Sequence, residues 1–193
     1  MQIHQNYIVY KPYGYLSQFI SNDVKNHKKK FLGELYDFPN GTMAIGRLDE
    51  KSEGLLLLTT NGKLSDFINS SKFEKEYYAL VDGAISIKAI HKLENGVEIG
   101  FNGKKYQTKS CTVQKIETAP KFPERSKKIR DARHGPTSWI SITLTEGKFR
   151  QVRKMTAAVG FPTLRLVRVR VGNITLDSLP IVGQVKELES LEL

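Results

Sequence analysis

Four consecutive leucines, Leu55 to Leu58, lie between Gly54 and the turn-forming pair Asn61-Gly62. An apolar run of that length, bounded by turn residues, predicts a strand covered on both faces. A chain with such a strand has to build a real core around it, and 39% hydrophobic residues in 193 are enough for one. Just ahead of the leucines stand Arg47 and Asp49. Charge beside a dry strand is costly unless it is paired or used, so these two side chains mark a candidate site.

The rest of the chain reads as short strands with a few short helices. Tyr7 to Tyr10 is β-rich and ends at Lys11-Pro12-Tyr13-Gly14, where proline and glycine impose a turn. A basic run, Lys25 to Lys30, precedes a helical pattern at Phe31 to Tyr36. Helices are predicted over 63–69, over 86–93 with Ser86 as N-cap, and over 148–159. Strands are predicted at 77–81, at 139–144, at 163–171 and within 97–116, where Asn102-Gly103 is a hairpin signal. Strands outnumber helices without βαβ alternation. The pattern predicts an α+β fold on a mostly antiparallel mixed sheet flanked by short helices.

The net charge of +10 favours a polyanionic partner. No apolar run is long enough to span a membrane, and the N-terminus lacks a signal-peptide pattern, so the expectation is a cytoplasmic protein. A single cysteine, Cys111, and four scattered histidines give no disulfide and no metal-ligand spacing. No phosphate-binding glycine motif occurs, so the chemistry is expected to need neither metal nor cofactor. From Gly147 to Leu176 there is no acidic residue, while Lys148, Arg150, Arg153, Lys154, Arg165, Arg168 and Arg170 are basic. On a helix, Val152, Met155 and Val159 would form an apolar stripe with Arg150, Arg153 and Lys154 opposite. That concentration predicts contact with a nucleic-acid backbone. A second basic stretch, 121–134, carries six Lys or Arg against two acidic residues and reads as a loop.

Four blocks together resemble the pseudouridine synthases of the RsuA branch. They are Lys11-Pro-x-Gly14, Gly46-Arg-Leu-Asp49 continued by Ser52-x-Gly54 and the leucines, Lys75-x-Tyr77, and Glu146-Gly-Lys-x-Arg-Gln-Val-Arg-Lys-Met155. Within that branch, Pro136-Thr-Ser-Trp139, Arg150-Gln151 and Gly160 to Leu166 look most like members acting on large-subunit ribosomal RNA. The resemblance implies a single catalytic domain over 1–193 with a central cleft. It leaves no room for the small RNA-binding domain of the S4 type that many relatives carry ahead of it. The basic insertion near 119–136 is the expected compensation. Phe149 and Lys154 stand where relatives often have a polar residue and Arg, and Thr60 replaces Asn.

Isomerising uridine to pseudouridine breaks the bond from ribose C1′ to N1, turns the uracil and joins C1′ to C5. The reaction needs a carboxylate, as nucleophile or as stabiliser of positive charge at C1′. The resemblance assigns that role to Asp49, with Arg153 as the cation beside it and Tyr77 as the aromatic against the flipped-out uracil. Tyr78, its neighbour, points the other way on a strand and is expected in the core. Arg47, Lys75, Lys148, Arg150, Lys154, Arg165 and Arg168 are the expected RNA contacts. The leucines are expected to form a dry wall that keeps water from C1′.

Taken without the resemblance, Asp49 is equally a turn aspartate and Arg47 a structural ion-pair partner. The partner implied is ribosomal RNA, free or in an assembling particle, met by a monomer. Competing expectations are the same reaction on small-subunit ribosomal RNA or tRNA, a non-catalytic RNA-binding protein of ribosome assembly, and glycosyl chemistry with Asp49 and Glu53 as paired carboxylates.

Overall fold

The computed structural model describes residues 4–20, 29–70, 73–101 and 103–193. In chain order the elements begin with strands β1 (Asn6–Lys11), β2 (Tyr15–Leu16), β3 (Lys30–Phe31), β4 (Met43–Ile45) and β5 (Glu53–Thr59), then helix α1 (Gly62–Ser70). Strand β6 (Lys75–Asp82) leads to helix α2 (Ile87–Glu94) and strands β7 (Glu98–Phe101), β8 (Lys104–Gln107) and β9 (Thr112–Ile116). Strand β10 (Thr137–Leu144), helix α3 (Gln151–Ala158) and strands β11 (Thr163–Val171), β12 (Ile174–Thr175) and β13 (Val185–Leu188) complete it. These contacts group into two compact units. One comprises Met1–Phe73, Pro123–Ser126 and Arg168–Leu193; the other Glu74–Phe122 and Lys127–Val167.

In the first unit β5 is the central strand. It pairs antiparallel with β1, Val9 opposite Leu56, and with β4, Leu57 opposite Ile45. On the far side of β1 lies β13, also antiparallel. All four leucines are completely buried, as a strand covered on both faces requires. Leu56 and Leu58 join Tyr7, Val9 and Leu32 in an apolar cluster, against which Phe19, Leu35 and Phe38 pack. Each leucine contributes about 2 kcal/mol over an exposed one. The helical pattern at 31–36 becomes one 3-10 turn, Leu32–Glu34, closed by the Glu34 carboxylate accepting from the Phe31 amide at 2.8 Å. Of the basic run, residues 25–28 lie outside the described residues. Lys29 pairs with Glu50 at 2.6 Å, and the Lys30 ammonium lies 5.4 Å from the Tyr15 ring centroid.

In the second unit β10 is central, antiparallel to β6 on one side and β9 on the other. From Ser138 onward its residues alternate between buried and half-buried. Ile140, Ile142 and Leu144 face an apolar cluster with Ala79, Val81, Val113, Ala89 and Leu93 of α2, and Val152 and Met155 of α3. Ser86 caps α2 by accepting from the Ala89 amide. Strands β7 and β8 form the hairpin that Asn102-Gly103 announced.

Two elements differ from their sequence pattern. Helix α3 starts at Gln151 instead of Lys148, because Arg150 has φ 53, outside the right-handed helical region. Arg150 is therefore off the helical face that its spacing suggested. Tyr78 does lie opposite Tyr77, as strand alternation requires, but it does not enter the apolar cluster. Its ring meets Phe122 edge-on at 6.0 Å, and Phe122 in turn covers Trp139 at 5.7 Å. It is Tyr77 that packs against the cluster. The basic loop is thus fixed to this face by Phe122, and further along by Arg130. The Arg130 guanidinium pairs with Asp82 and donates to the carbonyls of Gly135 and Pro136.

One turn has no tolerance for a side chain. Gly96, after α2, has φ +83, and a Cβ there would run into the carbonyl oxygen of Thr108. Gly103 has φ +73 but open space around it. In urea denaturation, Gly96→Ala is expected to lose more than about 2 kcal/mol of stability. Gly103→Ala, which meets only the backbone penalty, should lose about 1 kcal/mol.

Candidate active site

The segment between β4 and β5, residues 46–52, carries Arg47 and Asp49, and it is tied down at almost every peptide. Gly46 turns with φ +59 and donates its amide to Asn69 Oδ1 at 3.0 Å. The Ser17 hydroxyl both accepts from the Leu48 amide, at 3.0 Å, and donates to the Leu48 carbonyl, at 2.8 Å. The Ser52 amide closes a turn onto the Asp49 carbonyl at 3.0 Å. The Gly14 amide reaches the Glu50 carbonyl at 2.8 Å. Within this frame Leu48 is buried, Asp49 half-buried and Arg47 exposed.

Two buried cations hold the loop from beneath. Lys11 is fully buried, and its ammonium donates to the carbonyls of Ser52 at 2.7 Å, Pro12 at 3.0 Å and Glu50 at 3.5 Å. Arg168, 1% exposed, donates from Nε to the Leu55 carbonyl and from Nη1 to the Gly46 carbonyl, both at 2.7 Å. The guanidinium therefore bridges the start of the loop and the strand that follows it. Burial lowers the Lys11 pKa to about 7, against the opposing pull of Glu53, Asp49 and Glu50, with Arg168 adding to the lowering. This geometry explains the Lys-Pro-x-Gly block: its lysine and its glycine amide both bind the loop that bears Asp49.

The burial corrects two sequence readings. Arg168 is expected from the sequence to contact RNA, but it is 1% exposed and its Nε and Nη1 are taken up by backbone carbonyls inside the first unit. Glu53, considered as a second catalytic carboxylate, is 1% exposed at the start of β5 and sits in the field of Lys11. A carboxylate sealed in this way has no access to a sugar, which removes the paired-carboxylate reading.

The second unit holds Tyr77, Lys75, Arg153 and the remaining basic residues. Tyr77 is half-buried opposite Ile142, and Lys75 is half-buried opposite Leu144. Glu146 organises the turn into α3. It accepts from the Tyr106 hydroxyl at 2.6 Å, the Lys109 amide at 2.9 Å and Gln151 Nε2 at 2.5 Å. Burial pushes its carboxyl up, but these hydrogen bonds outweigh burial and hold it below the ordinary value. Gln151 also accepts the Lys148 amide at 2.9 Å, so the Glu-Gly-Lys-x-Arg-Gln block is a closed turn. Arg153, one turn along α3, is half-buried and donates to the Thr163 carbonyl at 3.3 Å.

Arg165 is the third correction. It is 6% exposed and lies under the Phe122 ring, 5.4 Å from its centroid, which withdraws it from phosphate contact. Lys148, Arg150 and Lys154 are half-buried, Lys148 5.0 Å from the Tyr106 ring centroid and Lys154 bonded to the Gly100 carbonyl at 2.7 Å. The Cys111 thiol donates to the Leu93 carbonyl, and burial pushes its pKa to about 11, so it is inert as a nucleophile. Among the described residues no group of three His, Cys, Asp or Glu could hold a metal ion, and no helix is long and apolar enough to cross a membrane. Sequence reasoning missed the structural work of Lys11, Ser17 and Arg168. The available signal for Arg168 was its place inside the apolar run of β11, where a charge needs inward partners.

Lys11 and Arg168 generate two expectations. The folded protein releases the Lys11 proton near pH 7, whereas the unfolded chain keeps it to about 10.5. Between those values the unfolded state binds more protons, so unfolding free energy should rise with pH, by up to about 1.4 kcal/mol per unit. Below pH 7 both states are protonated and this slope vanishes. Denaturant titrations across pH 6 to about 10 should show that slope in wild type and lose it in Lys11→Met. Arg168→Met should lower stability by about 2–4 kcal/mol, since it leaves two carbonyls unpaired. Arg168→Lys should recover part of that loss, because one ammonium cannot span both carbonyls.

With these sites defined, known proteins provide a direct comparison. A family model of RNA pseudouridylate synthases matches residues 5–158. The chain is 40% identical over 171 residues to Ribosomal large subunit pseudouridine synthase E of Xanthomonas axonopodis pv. citri, covering 88% of this chain and 86% of that one. It is 43% identical over 181 residues to the protein of the same name from Vibrio parahaemolyticus, covering 93% and 71%. A crystal structure of a pseudouridylate synthase superposes with a TM-score of 0.75 at 24% identity, over 97% of this chain and 71% of that one, and shows the same fold. Four ordered blocks, a shared fold and a family match over most of the sequence lead to one conclusion: this chain belongs to the RNA pseudouridylate synthase family.

Proposed function

We propose that the protein isomerises a specific uridine to pseudouridine in large-subunit ribosomal RNA, with Asp49 as the catalytic carboxylate and the target nucleotide flipped out of its helix. The observation that carries this reading is the loop at 46–52. Its backbone is fixed by Lys11, Ser17, Asn69 and Arg168 before any substrate arrives, and it holds two half-buried carboxylates, Asp49 and Glu50, of which Glu50 is paired with Lys29. A carboxylate that attacks or stabilises C1′ gains from such preorganisation, because no reorganisation is then needed in the transition state. The RNA target follows from the relatives, which are named for the large ribosomal subunit at 40% and 43% identity.

The proposed roles of the remaining residues follow the family blocks. Tyr77 packs on the uracil, and Arg153 supplies the cation that balances Asp49. Arg47 and Lys75, with Lys148, Arg150 and Lys154, contact the RNA backbone. In the reaction the C1′–N1 bond breaks, the uracil turns, C5 bonds to C1′, the proton on C5 leaves to solvent, and N1 takes up a proton in its place. Atoms and electrons balance within the uridine, so neither cofactor nor metal is required. The protein is taken to act as a cytoplasmic monomer.

Release of tritium from C5 reports the reaction directly. With large-subunit ribosomal RNA labelled at C5 of uridine, wild type should release label, and Asp49→Asn should fall to background while its affinity for the RNA stays within about twofold. A protein that only binds RNA would release none, and its affinity would hold or rise when the negative charge at 49 is removed. Failure of the wild type to release label from free RNA and from precursor particles would overturn the assignment.

A further inference from the structure

Phe149 is 66% exposed, although it lies in one of the most tightly closed turns of the second unit. The turn is shut on both sides of it. The Lys148 amide donates to the Gln151 side chain at 2.9 Å, and the Gln151 amide donates back to the Lys148 carbonyl at 3.0 Å. Gln151 is itself buried and fastened to Glu146. Arg150 adopts the left-handed conformation with φ 53 and ψ 34, and among the described residues no other non-glycine has positive φ. Phe149 is thus presented outward from a closed turn.

The surroundings of the ring are cationic. Lys148 and Arg150 flank it in the chain, and the Lys154 ammonium lies 5.3 Å from its centroid. No acidic residue occurs from Gly147 to Leu176, and the neighbouring Glu146 is occupied by Tyr106, Lys109 and Gln151. A flat apolar face inside a positive field matches one kind of partner: a nucleotide whose base is unpaired and whose phosphates are close by. A base stacked within a duplex offers no free face.

We propose that Phe149 is a stacking platform for an unpaired base of the RNA substrate, with Lys148, Arg150 and Lys154 taking the adjacent phosphates. This rests on RNA being the partner, as argued above, but not on catalysis. It assigns to this turn a part in choosing single-stranded over paired RNA next to the target.

The test is equilibrium binding of a short, unstructured, mixed-sequence RNA and of a fully paired duplex of the same length. Wild type is compared with Phe149→Ala, Phe149→Leu and Phe149→Trp. Because the residue is exposed, the variants are expected to fold. Single-strand affinity should fall about tenfold in the Ala and Leu variants and be retained in the Trp variant, whose added indole fluorescence should be quenched by the single strand. Duplex affinity and the salt dependence of binding should not change, since no cation is removed. A Leu variant that binds the single strand like wild type would overturn the proposal. So would an equal loss for duplex, or a Phe149-dependent affinity for anionic phospholipid vesicles without any change towards RNA. Tritium release separates the two readings: stacking without release retains the platform and rejects the isomerase, while release with unaltered Phe149 variants does the reverse.

Discussion

The first unit depends on a lysine and an arginine that are almost completely buried. Burying either charge alone would cost several kcal/mol. The structure offsets this by pointing backbone carbonyls inward: those of Pro12, Glu50 and Ser52 at Lys11, and those of Gly46 and Leu55 at Arg168. Glu53, also buried, and the nearby Asp49 and Glu50 add negative field. The carboxylates ease the burial of Lys11, whereas Arg168 opposes it by repulsion. The path of the chain from Gly46 to Leu55, and hence the place of Asp49, is held by these inward hydrogen bonds together with the burial of Leu48 and Leu55.

The second unit reaches the same end with one anion. Glu146 gathers a hydroxyl, a backbone amide and a side-chain amide, and through Gln151 it dictates how the chain enters α3. In both units a buried or half-buried polar group paired inside the protein fixes a short loop whose outer residues are half-buried or exposed. Such buried networks, in which Arg168 Nη2 alone of the Lys11 and Arg168 donors lacks a partner among the described residues, confer a geometry that loosely packed apolar contacts would not provide.

The architecture was legible where periodicity is strong. The leucine run, the alternation of 139–144 and the Ser86 cap each depend on local rules, and each appears in the structure at its place. What local rules miss is a charge whose partners are distant in sequence. Arg168 bonds residues more than a hundred positions away, so its sequence neighbourhood suggests a surface cation. Arg165 was misread for a related reason, since the ring that covers it, Phe122, belongs to a loop with no periodicity of its own. Tyr78 followed alternation correctly, yet alternation says which face a side chain takes and not what waits there. The start of α3 was missed because spacing alone does not reveal a left-handed residue at Arg150.

The anchoring of the basic loop has a consequence for how this scaffold diversifies. Phe122 packs among Tyr78, Trp139 and Arg165, and Arg130 is locked to Asp82 and two carbonyls, so the attachment points are held firmly, while between them Arg125 lies 4.7 Å from the Tyr13 ring centroid and most of the other residues are exposed. Loop-closure entropy grows only slowly with length, so the exposed part of that stretch can lengthen or shorten at small energetic cost. Selection can therefore rework that surface and leave the sheet beneath it undisturbed. The fold keeps its inventive region apart from its conservative one.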